Sequence, residues 1–76
     1  MVEFGGTEVL AASPVQGTVA SVAAPGDHLR AGDAVAVIES MKMEYVVAAD
    51  RDVVVAEVRR KAGDRVTIGE PIVAFR

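Results

Sequence analysis

Short runs of branched apolar residues, separated by turns that contain glycine or proline, follow one another along the whole chain. Val35 and Val37 stand at period two, the spacing of a half-buried strand, and Tyr45-Val-Val begins a second such run. Thr18 to Ala23 alternates in the same way, and Val9 to Ala12 predicts the first strand. Several short strands with a turn signal roughly every 8–12 residues indicate an all-β sandwich or barrel.

The two central runs are close enough in sequence to form a β-hairpin, whose predicted tip is Met41-Lys42-Met43. This tip lacks the Asn-Gly or Asp-Gly pair that tight hairpins favour. Because methionine and lysine replace residues that favour turns, we expect the tip to serve something besides folding.

The second half of the chain repeats the turns of the first. Gly63-Asp64 aligns with Gly26-Asp27, and in each half the next glycine is followed by an acid. The upstream valines also match, with a slip of one residue: Val55 and Val58 against Val19 and Val22. Two such halves flank Lys42 and predict a fold with two-fold pseudo-symmetry.

The segment from Arg51 to Ala62 has two interpretations. Glu57 and Lys61 have the i,i+4 spacing of a helical ion pair. Three consecutive valines, Val53 to Val55, favour a strand. The repeat partner of this segment, Thr18 to Ala23, has no helical pattern, and we therefore predict a strand.

The length and composition limit the size of the domain, the residue types of its core and the kinds of site it can hold. The 76 residues predict one small domain, with 1–8 as a flexible lead-in and 9–76 as the folded part. Since 51% of the residues are hydrophobic but only 4% aromatic, the core must consist of Val, Ile, Leu and Ala. The absence of cysteine excludes disulfides and thiolate metal sites.

Charge and hydropathy disfavour two classes of partner. A net charge of −3 argues against a nucleic-acid surface. No apolar run approaches the roughly 20 residues of a membrane span, and the N-terminus shows no signal-peptide pattern. These features predict a soluble, cytoplasmic, monomeric domain.

The polar residues do not form a catalytic pattern. The only histidine, His28, lies in a predicted turn, and no hydroxyl has a neighbouring base. Glu39 and Glu44, on opposite arms of the hairpin, are interpreted as solvated strand ends rather than as a catalytic carboxylate pair. The acids that follow turn glycines lack calcium-ligand spacing: Asp27, Asp33 and Asp64. We predict that the chain is not an enzyme by itself and holds no metal.

Lys42 is the strongest candidate for function. A lysine at a hairpin tip is ordinarily a solvated surface residue, but Met41 and Met43 alter that interpretation. Exposed methionines belong to adaptable binding surfaces more often than to plain surface. A partner that recognises the tip explains them best.

The sequence Glu39-Ser40-Met41-Lys42-Met43-Glu44 resembles the (A/S)MKM signature of biotinyl domains, the biotin carboxyl carrier modules of biotin-dependent carboxylases. The resemblance extends over residues 13–75 and includes Pro14 and Gly17 of an A-P-x-x-G turn. It implies that Lys42 accepts biotin, that Met41 and Met43 are recognition residues, and that Glu39, Ser40 and Glu44 surround the site.

The resemblance also implies a fold: a flattened β-sandwich, or barrel-sandwich hybrid, of two four-stranded antiparallel sheets with internal two-fold pseudo-symmetry. The short Ala24-Pro25 turn leaves no room for the protruding thumb of some members. The family usually has glycine where Val53 stands. Because a β-branched residue does not readily take a positive φ, we expect a remodelled turn over residues 49–52.

The implied function is that of a non-catalytic carrier. A biotin protein ligase would attach biotin to Lys42 through an adenylate. Carboxybiotin would then move between a biotin carboxylase and a carboxyltransferase, whose acceptor is often an acyl-CoA. Two alternatives remain at this point: a lipoyl-type acyl carrier, although those domains resemble D-K-A at the tip, and an unmodified barrel-sandwich domain that mediates assembly.

Overall fold

Eight β-strands follow one another along residues 9–76, which are the residues that the computed structural model describes. They are β1 (Val9–Ala12), β2 (Gly17–Val22), β3 (His28–Leu29), β4 (Ala34–Ser40), β5 (Met43–Ala48), β6 (Val53–Val58), β7 (Arg65–Val66) and β8 (Pro71–Phe75). The predicted all-β class is confirmed, while the predicted lead-in over residues 1–8 lies outside the described residues. This part of the chain contains no helix that could cross a membrane.

The strands form two four-stranded antiparallel sheets. One has the order β1-β8-β6-β3 and the other the order β5-β4-β2-β7. Both sheets contribute to a single apolar cluster, in which Val19 and Ile38 of one sheet join Val55 and Ile72 of the other. The core is otherwise aliphatic, as the low aromatic content predicts, but the buried Phe75 contradicts the expectation that only Val, Ile, Leu and Ala form it.

The predicted pseudo-symmetry relates one sheet to the other. The two sheets have equivalent strand orders. β1 and β3 of the first sheet correspond to β5 and β7 of the second, and β6 and β8 correspond to β2 and β4, so that β1-β8-β6-β3 matches β5-β4-β2-β7 strand for strand. Hydrogen bonds follow the same rule: the Gly26 amide donates to the Val55 carbonyl at 2.7 Å, and the Gly63 amide donates to the Val19 carbonyl at 2.8 Å. Each half thus ties its first turn to the central strand of the opposite half.

The acids that follow the turn glycines stabilise those turns. In each of four turns the acidic side chain accepts a hydrogen bond of 2.9 Å from the backbone amide three residues earlier. The four acids are Asp27, Asp33, Asp64 and Glu70, and the glycine before each has a φ between 83° and 96°. Their role as turn caps explains the repeated Gly-acid pairs without a ligand.

The turn that contains Gly69 and Glu70 is also stabilised by an ion pair. Arg60 Nε donates to Glu70 Oε2 at 2.7 Å, while the Thr67 amide donates to Glu70 Oε1. The Thr67 amide, with the Arg60 guanidinium, holds the pKa of Glu70 below its usual range. Arg60, in the basic run 59–61, is therefore engaged within the fold.

The contested segment around residues 51–62 is a strand over its central part. β6 spans Val53–Val58, with Val53 paired to Leu29 and Val54 to His28. Val53 is not among the residues with positive φ, so it begins the strand instead of occupying a left-handed turn position. The three valines thus outweigh the helical spacing of Glu57 and Lys61.

The prediction that Val35 and Val37 share the buried face of a strand is wrong in part. Val35 is buried, but Val37 is only half-buried, and Ile38 is fully buried. The pairing with β5 shifts register between Ala34 and Ala36, which is the mark of a β-bulge at Val35. Because a bulge adds one residue to the alternation, both Val35 and Ala36 face inward, and Val37 faces away from the core.

Candidate functional site

The hairpin of β4 and β5 closes through a two-residue turn, Met41-Lys42. Ser40 and Met43 are its last paired residues, so Met43 begins β5 and does not belong to a three-residue tip as predicted. Met41 has a φ of 51° and Lys42 a φ of 68°. Two successive positive φ values are what a type I′ hairpin turn requires, since its twist matches that of the flanking strands.

This turn is unfavourable for the residues that form it. An L-residue in the left-handed region costs roughly 1–2 kcal/mol, and the side chains of Met41 and Lys42 offer no local compensation of the kind that Asn provides. They are the only two non-glycine residues with positive φ in the described part of the chain. The strain is therefore concentrated at the candidate lysine, where strained backbone often accompanies function.

Replacing the turn by Met41→Asn with Lys42→Gly is expected to stabilise the domain by about 1–2 kcal/mol, because this pair adopts positive φ with little strain. Urea unfolding measures the change. The single variant Gly32→Ala, at a residue whose φ is 94°, is the control and should destabilise. A double variant less stable than wild type would show that Met41 and Lys42 are favourable for the turn.

The turn presents three exposed side chains. Met41 is 90% exposed and Met43 58% exposed, and Lys42 is exposed between them. Within residues 9–76 the Lys42 ammonium has no hydrogen bond or ion pair. The Tyr45 hydroxyl lies 3.9 Å from the Met43 sulfur and contacts it along β5. The lysine side chain is therefore free to enter the site of another protein.

The predicted residues around the lysine are brought together by the strand register. Glu39 and Glu44 are direct cross-strand partners and both are exposed, while Ser40, partner of Met43, is half-buried. Like charges directly opposite each other on a sheet are destabilising. The two glutamates thus form an acidic pair below the turn, in agreement with their interpretation as solvated strand ends.

An open groove of about 530 Å³ lies beside the turn, on the side of β2 and β7. Met41 and Glu39 line it from the hairpin, Arg65 lines it from β7, and Gln16 and Ile68 line it from the loops next to β2 and β7. Sequence reasoning missed this groove because its residues are far apart in the chain. One signal was available in the sequence: the repeat aligns Ile68 with Ala31, so the turn itself does not require isoleucine at this position. The structure shows that Ile68 is exposed.

One of the residues that line the groove is a glycine, Gly17. A Cβ on Gly17 would lie 2.3 Å from the Glu39 carbonyl oxygen and 3.1 Å from Ile38 Cγ2. Any larger residue would push β2 away from β4, the strand that carries the hairpin. Gly17, in the predicted turn motif, therefore sets the distance between the hairpin and the neighbouring strand.

Comparison with known sequences identifies the family. Residues 8–75 match the biotin/lipoyl family, which is described as biotin-requiring enzyme. The chain is 49% identical over 45 residues to a biotin/lipoyl attachment protein of Bacillus subtilis (strain 168), covering 59% of this chain and 62% of that protein. It is 43% identical over 58 residues to the biotin-dependent acyl-coenzyme A carboxylase alpha3 subunit of Mycobacterium leprae (strain TN), covering 75% of this chain and 10% of that subunit.

Comparison with solved structures gives the same result for the fold. The chain resembles part of a single-chain, multi-domain long-chain acyl-CoA carboxylase, with a TM-score of 0.89 and 33% identity over 99% of this chain and 8% of that one. It also resembles part of the Kluyveromyces lactis urea carboxylase, with a TM-score of 0.83 and 37% identity over 99% of this chain and 7% of that one.

The matched segments span 62% and 10% of the lengths of the two curated relatives. The family match nevertheless extends from residue 8 to residue 75, through both halves of the repeat and the hairpin between them. The two-sheet fold agrees with that of the carboxylase domains. The chain therefore belongs to the biotin/lipoyl attachment family of biotin-requiring enzymes, whose cofactor is biotin.

Proposed function

We propose that residues 9–76 are a biotin carboxyl carrier domain and that Lys42 is its point of attachment. The observation that carries this proposal is the hairpin turn itself: an exposed lysine without a partner among the described residues, held between two exposed methionines in strained backbone. The relatives add support, since three of them are named as acyl-CoA or urea carboxylases.

The turn fits covalent biotin. An amide bond needs a primary amine that can reach an activated carboxyl group without obstruction, and the exposed Lys42 meets this condition. A biotin protein ligase would supply biotin as its adenylate. The Lys42 nitrogen would form the bond to the acyl carbon, AMP would leave, and the ligase would accept the proton lost by the amine.

The chain's own contribution after attachment is positional. The two-sheet body carries the turn between β4 and β5, and the lysine side chain would serve as the flexible part of a tether. A tethered group has a high effective concentration at each site that the tether can reach. The carrier would in this way serve a biotin carboxylase and a carboxyltransferase, and the relatives favour an acyl-CoA as the acceptor of the carboxyl group.

The lipoyl-carrier alternative rests on the family, which includes lipoyl attachment. The methionines on both sides of Lys42 favour biotin, since lipoyl domains resemble D-K-A at this position. The unmodified assembly domain leaves the exposed methionines and the strained turn without a role.

Intact mass spectrometry after co-expression with a biotin ligase, and separately with a lipoate ligase, tests the proposal. We expect the mass to increase by one biotinyl group in the first experiment and to remain unchanged in the second. A lipoyl adduct alone would favour the alternative carrier. No adduct in either case would support the assembly domain.

The position of the lysine within the turn is expected to matter. Met41→Lys combined with Lys42→Met keeps the composition but moves the amine to the first turn residue, from which the side chain leaves in another direction. Misplacement by a few ångströms should lower the rate of biotin transfer by at least about tenfold, or roughly 1.4 kcal/mol. The initial rate of labelled biotin transfer measures this, with folding checked by circular dichroism. Comparable rates would show that the ligase does not depend on the geometry of the turn.

A further inference from the structure

The groove beside Lys42 has a counterpart at the place that the pseudo-symmetry makes equivalent. The pairing of β2 with β7 and of β3 with β6 makes Arg65 equivalent to His28, and Gly17 equivalent to Val53. A groove of about 380 Å³ lies at this equivalent position beside β3 and β6, and its lining residues include His28, Arg30, Asp52, Val53 and Arg76. The fold thus supplies two grooves, and only one lies beside the hairpin turn.

The two grooves differ most clearly at Ile68. Its turn, Thr67-Ile68-Gly69-Glu70, has the same glycine conformation and the same 2.9 Å acid-to-amide hydrogen bond as the turn that contains Ala31. Alanine therefore satisfies the fold at this position. Ile68 is nevertheless 73% exposed, and it lines the lysine groove together with Met41. Ile68 and Met41 thus place two exposed apolar side chains in one groove, and exposed apolar surface that is grouped in this way, with a polar rim, marks a ligand or partner site.

We propose that this groove is the resting site of the biotin ring attached to Lys42. This inference rests on the proposed function. Met41 lines the groove and directly precedes Lys42, so the tether begins at the rim of the site. The volume of about 530 Å³ lies in the range of small-molecule sites.

The lining matches the two chemical sides of the ring system. The thioether ring is apolar and can pack against Ile68 and Met41. The ureido group has one acceptor carbonyl and two donor N–H groups, for which Arg65 and Gln16 supply donors and Glu39 supplies acceptors. The mate groove also has apolar lining residues, Leu29, Val53 and Val54, beside His28, Arg30 and Arg76. It differs in having Ala31 instead of isoleucine at the equivalent turn and in not adjoining the turn that carries Lys42.

An open groove binds weakly, but a tethered ligand needs little affinity because its effective concentration is high. The ring would therefore exchange between the groove and solvent. Partner enzymes could capture it in the free state, and the resting state would protect the apolar ring from water between transfers.

Amide NMR spectra of the apo and biotinylated chain test the proposal. Biotinylation should shift the amide resonances of Gln16, Arg65 and Ile68, and leave those of their symmetry mates Asp52, His28 and Ala31 unchanged. Intact mass first establishes that Lys42 carries biotin. A chain without biotin would refute the proposed function, whereas a biotinylated chain with shifts confined to the hairpin would refute the resting site alone.

Two variants and one chemical control complete the experiment. Ile68→Ala should abolish the shifts at Gln16 and Arg65, while Ala31→Ile, which adds the same side chain to the equivalent turn of the other half, should leave them intact. Acetylation of Lys42 in a Lys61→Arg background neutralises the charge without adding a ring and should produce no shift beyond the hairpin. Groove shifts that persist in Ile68→Ala, or that acetylation reproduces, would overturn the proposal.

Discussion

Lys42→Arg is expected to carry no biotin after co-expression with a biotin ligase, whereas the wild-type chain becomes fully modified. The guanidinium of arginine does not lose its proton under these conditions and so cannot attack an activated acyl group. Fold stability should be unaffected, because the residue is exposed and has no partner among residues 9–76. Intact mass gives the modified fraction, and circular dichroism verifies that the variant is folded.

Lys61 is the matched control, since it is the only other lysine of the chain. It is also exposed, but it lies in a glycine turn, where its backbone amide donates to Asp64 Oδ2 at 2.9 Å. No methionine stands beside it. Lys61→Arg should therefore be biotinylated to the same extent as wild type, and biotin on Lys61 in the Lys42→Arg variant would refute the assignment.

The hairpin and the pseudo-symmetry could be predicted because local sequence determines both. Gly26 and Gly63 occupy left-handed positions that L-residues avoid, and the acid after each caps the same turn. Such features recur wherever the turn recurs, so the repeat is visible in the sequence. Lys42 could be identified for a similar reason, since its unusual neighbours are adjacent to it in the chain.

The face of β4 could not be predicted in the same way. Alternation along the strand places Val35 and Val37 together, but the bulge at Val35 changes the alternation. A bulge is defined by the register with a second strand and leaves little trace in the bulged strand itself. The groove could not be predicted from the sequence for a related reason, because it is formed by three separate segments, near residues 16, 40 and 66.

Because of that bulge, Ile38 rather than Val37 is the residue of β4 whose side chain should contribute most to stability. It is fully buried in the shared core, is paired with Tyr45 in the hairpin and lies close to Gly17 on the other side. It therefore joins the arm that carries the lysine turn to the rest of the sandwich. Small domains are stabilised by only about 5–15 kcal/mol in total, so a cavity at this position should have a large effect.

Ile38→Ala is accordingly expected to lower the free energy of unfolding by about 2–5 kcal/mol, through lost apolar burial and the cavity that remains. Val37→Ala, one residue earlier on the opposite and half-buried face, is the matched control and should cost about 1 kcal/mol or less. Urea unfolding of both variants, analysed with equal m-values, measures the difference. If Val37→Ala proved as destabilising as Ile38→Ala, the bulge at Val35 would not exist in solution, and the face of β4 would be the one that simple alternation predicts.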